Sequence, residues 1–271
     1  MKNVVGHLSN LQQRVIVAVL GIGLFFGLIF SGLEPTIFLF SAILVLCLVE
    51  FFSLSPNYIP FSVRIVASAF GLVFFLFGFG LIESKFLLPF LPLFMSILVF
   101  KPLEKPFEVA GWTALGLAYL VPCWFCMLHL SGASDGSTFS STTLLGLFGL
   151  LWAADSGAYF AGRTLGKTKL LPRVSPKKTW EGLLGGWMAA SILAWFLSTM
   201  DTPYSLSQWE ILAASTTFFG TLGDLAESTL KRSLGVKDSG SMLPGHGGIL
   251  DRFDGLFICA PTNLFLVSVF F

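Results

Sequence analysis

The chain alternates long apolar blocks with short polar segments, and the blocks run too long and too evenly for strands. About 20 residues at 1.5 Å rise cross the hydrocarbon core of a bilayer. The pattern predicts nine spanning helices, at 15–33, 36–54, 63–82, 86–100, 111–130, 142–162, 182–200, 209–230 and 255–271. The fourth is short and carries Pro89 and Pro92, which predicts a kinked element. A membrane β-barrel would show ten-residue alternation of polar and apolar positions, and none is present. The class that follows is an all-α integral membrane protein, a polytopic helical bundle.

Composition agrees. Of 271 residues 55% are hydrophobic and 11% charged, with a mean hydropathy of +0.83, where a soluble domain carries roughly a quarter charged residues. The net charge of +1 gives no reason to expect nucleic acid as a partner. Cys123 and Cys126 have redox-motif spacing but lie in an apolar block, as do Cys47 and Cys259, which predicts buried thiols. No small-residue cleavage site follows the first apolar run, so it reads as an uncleaved span.

Charge distribution tests the topology. With the N-terminus inside, fifteen of the sixteen Lys and Arg fall in inner segments, and Lys85 alone lies outside. The expectation is an N-in, C-out protein of the inner (cytoplasmic) membrane. Two inner loops, 163–181 and 231–254, hold ten of those fifteen charges. Residues 1–140 then read as lipid-facing transmembrane scaffold, and 141–271 as the region that holds both inner loops and the candidate chemistry.

Ionisable residues at membrane depth are costly and therefore functional candidates. Asp155 lies in the sixth block. In the eighth, Asp224, Glu227, Ser228 and Lys231 recur at i, i+3, i+4 and i+7, which places them on one helix face. Residues 235–255 follow, with six glycines and a proline that let backbone N–H groups approach a ligand. Lys237, His246 and Arg252 supply donors there, and Asp238, Asp251 and Asp254 supply oxygens. Hard oxygen ligands beside basic groups suit Mg2+ on phosphates, and zinc lacks ligands. Lys177 and Lys178 begin a turn into a helix, where N–H groups favour anions. Glu50, inside the second block, reads as a buried hydrogen-bonding residue.

These residues resemble a known family. Ser228-Thr-Leu-Lys-Arg232, Lys237-Asp238-Ser-Gly240, Leu243-Pro-Gly-His-Gly-Gly248 and Asp251-Arg-Phe-Asp254 are similar to the phosphatidate cytidylyltransferase (CDP-diacylglycerol synthase) pattern over 27 consecutive residues. The segments Ser175-Pro-Lys-Lys-Thr-Trp-Glu-Gly182 and Asp155-Ser-Gly-Ala-Tyr159 resemble it too. The resemblance implies a nine-helix, dimeric membrane enzyme of phospholipid biosynthesis. Such an enzyme joins CTP to phosphatidic acid among the membrane lipids and releases pyrophosphate and CDP-diacylglycerol. It further implies that Asp224 and Asp251 ligate Mg2+, with a second cation such as K+. On that reading Lys231, Arg232, Lys237 and Arg252 neutralise phosphates, and Lys177 and Lys178 bind the triphosphate or the lipid phosphate. His246, Gly247 and Gly248 orient a phosphate oxygen, and Ser228 and Asp238 complete the set. Two rivals stand beside it. A CTP-dependent polyprenol kinase would need a general base such as Asp238 or Glu227, and a phosphorylated-solute transporter would place its site near the midplane.

Overall fold

The computed structural model describes residues 10–100, 103–133, 138–240, 242 and 247–271. His246 lies outside them, as do Lys2, His7, Lys101 and Asp135. Among the described residues the chain forms nine α-helices: α1 (Asn10–Phe30), α2 (Leu33–Ser53), α3 (Phe61–Phe77), α4 (Phe90–Phe100), α5 (Pro106–Leu130), α6 (Ser141–Thr164), α7 (Trp180–Ser198), α8 (Leu206–Ser233) and α9 (Leu256–Phe270). The expected blocks and these helices coincide to within a few residues. Four of them, α2, α5, α6 and α7, are long and apolar enough to cross a membrane, and α3, α9 and the Val19–Phe30 part of α1 are shorter apolar helices. These helices suggest an integral membrane protein.

Departures from the expected boundaries have local causes. The fourth helix begins at Phe90, because Pro89 disfavours helical geometry in the residue before it. The eighth is 28 residues long; Ser205 and Gln208 open it with a reciprocal capping box. The loop expected at 163–181 contains an antiparallel hairpin, β1 (Lys169–Leu171) and β2 (Ser175–Thr179). Lys177 and Lys178 therefore lie on a strand, and Thr179 is the cap of α7, its hydroxyl accepting the Gly182 N–H at 3.1 Å.

Packing puts α6 against α7 at backbone distance. A Cβ on Gly157 would lie 2.6 Å from the Gly185 carbonyl oxygen, so only glycine permits the approach. The other seam is aromatic: Trp124 of α5, fully buried, meets Phe40 of α2 at 5.0 Å and Phe253 at 4.9 Å between ring centroids. That contact ties the N-terminal helices to the chain entering α9. All four cysteines are buried free thiols, as their apolar setting predicts. On the outer face of α7, Leu184, Trp187, Met188, Ile192 and Trp195 are exposed, a surface suited to lipid rather than water.

Candidate active site

The C-terminal half of α6, the hairpin, the start of α7 and the second half of α8 line a cavity of about 570 Å3. Its charged lining is Asp155, Arg163, Lys169, Lys177, Lys178 and Asp224. Four cations against two carboxylates make it a receptor for a polyanion. The hairpin is held in place from α7: the Glu181 carboxylate accepts the N–H groups of Lys167 and Thr168 at 3.1 Å each. The Trp180 N–H donates to the Thr168 carbonyl at 3.0 Å. Within the cavity the Lys178 ammonium lies 2.5 Å from Asp224 Oδ2. The Ser228 hydroxyl donates to Asp224 Oδ1 at 3.2 Å, as i,i+4 spacing allows.

One turn further along α8 a second cluster forms. Lys231 is buried and bridges two acids, 3.0 Å from Glu227 Oε1 and 2.5 Å from Asp251 Oδ1. Asp251 Oδ2 also accepts the N–H groups of Ser239 at 3.1 Å and Gly248 at 3.2 Å. Burial raises the Asp251 carboxyl, but Lys231 and the Ser239 N–H outweigh it and hold the group below the ordinary carboxylate range. Gly247 has φ +83°, a left-handed turn that brings Gly248 under the carboxylate.

Asp254 joins the two clusters. A Cβ on Gly223 would lie 2.6 Å from the Asp254 carbonyl oxygen, so the chain here touches α8 beside Asp224. Burial first, and then the neighbouring Asp224 carboxylate, push Asp254 up to about 7.

The structure thus brings Asp224, Ser228, Lys177 and Lys178 to one cavity, and Lys231, Asp251 and Gly248 to the adjoining loop. Asp251 is not part of the cavity lining. Arg232 is used locally, donating from Nη1 to the Val236 carbonyl at 2.9 Å, which closes the end of α8. Lys237, Asp238 and Arg252 are exposed on the loop, and Gly247 is half-buried. Two of the cavity residues, Arg163 and Lys169, are not among those the sequence singles out, whereas Asp155 and Asp254 are. Asp155 was visible as an acid in an apolar block, but Arg163 and Lys169 look like ordinary inner-loop charges until the hairpin folds them inward. Glu50 is buried and bonded, as expected, and its partner is the Leu250 N–H at 2.7 Å.

Could these residues hold a cation? Asp224, Asp251, Asp254 and Glu227 outnumber Lys178 and Lys231, the two ammonium groups paired with them. Among the described residues no three such ligands converge tightly enough to cage an ion unaided. That suits Mg2+, which takes one or two carboxylates and completes its shell with phosphate oxygens and water.

The cytidylyltransferase family model matches residues 12–270, which takes in the cavity and the loop. The chain belongs to the cytidylyltransferase family. A phosphatidate cytidylyltransferase of Brucella suis is 44% identical over 163 residues, 59% of this chain and 58% of that protein. One of Haemophilus influenzae is 49% identical over 123 residues, 44% of this chain and 43% of the relative. One of Staphylococcus haemolyticus is 33% identical over 269 residues, 96% of this chain and the whole of the relative. The match therefore spans 58% of the length of the Brucella protein and all of the Staphylococcus one. In this chain of the cytidylyltransferase family α8 touches both features, giving Asp224 to the cavity and Lys231 to the glycine loop.

Proposed function

We propose that the chain is a phosphatidate cytidylyltransferase, transferring CMP from CTP to phosphatidic acid with release of pyrophosphate. The observation that carries the reading is the cavity of four cations around Asp224 in a chain that aligns end to end with a relative of that name. A phosphate oxygen of phosphatidic acid attacks the α-phosphorus of CTP. The new P–O bond forms as the bond to the β-phosphate oxygen breaks, and the electron pair leaves on pyrophosphate. The nucleophile is already ionised at neutral pH, so no strong general base is needed. Charge neutralisation is the work left to the protein.

Lys169, Lys177, Lys178 and Arg163 hold the phosphates in the cavity, and Ser228 orients the Asp224 carboxylate. Asp224 and Asp251 would hold Mg2+, with a second cation such as K+, which when bound would supply positive charge to the reacting phosphate oxygens. Lys231 keeps Asp251 turned toward α8. The same reading assigns nucleotide contacts to Gly247, Gly248, Lys237, Asp238 and Arg252 of the loop and to Arg232 at the end of α8, and a phosphate-orienting role to His246.

The same reading covers the membrane. All nine helices lie in or across it, the N-terminus and the cavity face the cytoplasm, and the protein sits in the inner membrane as a homodimer. Support comes from the cavity lying at one end of α6, α7 and α8, where CTP arrives from water and phosphatidic acid from the bilayer. Helices before residue 140 serve as scaffold, and the site belongs to 141–271.

The test is pyrophosphate release by purified protein in lipid or detergent, given CTP, phosphatidic acid and Mg2+. Release that requires all three and collapses in Asp224→Asn is the expected result. CDP as product would instead support a kinase, and no turnover by folded protein would sink the transferase.

A further inference from the structure

Glu50 lies in the last turn of α2, 2% exposed. It is far from the catalytic segments in sequence and outside the lining of the cavity. Its Oε2 accepts the Leu250 N–H at 2.7 Å, the residue just before Asp251. Its Oε1 is buried with no hydrogen-bond partner among the described residues, and the Oγ of Ser239 is in the same condition. These two orphans are neighbours. A Cβ built on Gly248 would collide with Ser239 Oγ and with both Glu50 oxygens, and one on Gly240 would collide with the same carboxyl. The two ends of the glycine loop therefore wrap the carboxyl at a distance that only glycine allows. From the loop side, Asp251 accepts the Ser239 and Gly248 N–H groups.

A buried carboxyl oxygen without a donor is costly. Ser239 has a hydroxyl donor to give and Glu50 Oε1 lacks one, so a bond between them would satisfy both atoms. We propose that Glu50 is a positioning residue for the site. With Ser239 it locks the ends of the glycine loop together, and so fixes Asp251 against Lys231 of α8. It acts through Asp251 and touches no substrate. The proposal rests on the reading of this site as a cytidylyl-transfer centre.

Glu50→Ala should speed hydrogen exchange at the Ser239 and Leu250 amides at least tenfold in substrate-free protein. It should lower kcat by about 10- to 100-fold, raise the Mg2+ concentration for half-maximal rate, and change KM for CTP little. Glu50→Gln keeps an acceptor for Leu250 and should recover most of the loss. Unchanged exchange and kcat in Glu50→Ala, or a Gln variant no better than Ala, overturns the proposal. Should Glu50→Ala fail to fold, a second pair decides. Gly240→Ala drives a methyl into the carboxyl, and Glu50→Asp withdraws that carboxyl by one methylene. Recovery in the double variant over Gly240→Ala supports the lock, and simple additivity refutes it. If wild-type protein releases no pyrophosphate, the reaction assigned above is wrong, while the exchange rates still decide the role of Glu50.

Discussion

Asp224 faces a cavity of about 570 Å3 with one ammonium and one hydroxyl on its oxygens. Asp251, reached through Lys231 two helical turns further along α8, has its oxygens filled by that ammonium and by two backbone N–H groups. The first carboxylate can exchange partners with an incoming ligand. The second is already satisfied by the chain and defines the shape of the loop. Two aspartates with the same expected task thus differ in how much of the fold depends on them.

The difference is sharpest if each is removed. Asp251→Ala leaves Lys231 with Glu227 alone and strands the Ser239 and Gly248 N–H groups. Losing a partner in a buried charge network costs about 3 kcal/mol or more. A lower thermal midpoint together with lost pyrophosphate release is expected; an unchanged midpoint would make the two aspartates equivalent.

Asp224→Asn should separate the two effects. Turnover falls by about 10²- to 10³-fold, the scale for losing one group that stabilises developing charge, while the melting curve stays near wild type. A large loss of stability would show that Asp224 also holds the fold.

A smaller effect concerns Asp254, which stands between them. Its carboxyl sits at about 7 in the fold, above the usual 3.8, so the folded chain binds that proton more tightly than the unfolded chain. The stability it confers is complete below about pH 4 and is lost as pH rises through 7. In EDTA the thermal midpoint should fall between pH 5 and pH 7, and Asp254→Asn should flatten that fall. An equal slope in both proteins would rule Asp254 out as the cause.

How much of this could be read in the chain depends on distance along it. The set Asp224, Glu227, Ser228 and Lys231 is written in helical spacing, and both i,i+4 pairs form as that spacing requires. The helices themselves follow from apolar blocks that can satisfy their backbone only internally. Lys177 and Lys178 were legible as basic residues beside a helix, yet not as strand residues. The hairpin depends on a Glu181 carboxylate reaching back to Lys167 and Thr168, 14 and 13 residues away. Asp254 was legible as an oxygen donor of the glycine-rich segment, but not its contact with α8, which rests on the glycine at 223 letting its backbone approach. Non-local contacts of this kind have no period in the sequence.

The Glu50–Leu250 bond joins residues 200 positions apart. At roughly 5–20 residues per second of synthesis, the acceptor waits about 10–40 s for its donor to be made. During that interval α2 is complete while its carboxyl has no Leu250 N–H to bind. The reaction centre therefore has a birth order: a helix made early holds the place into which a loop made late must close.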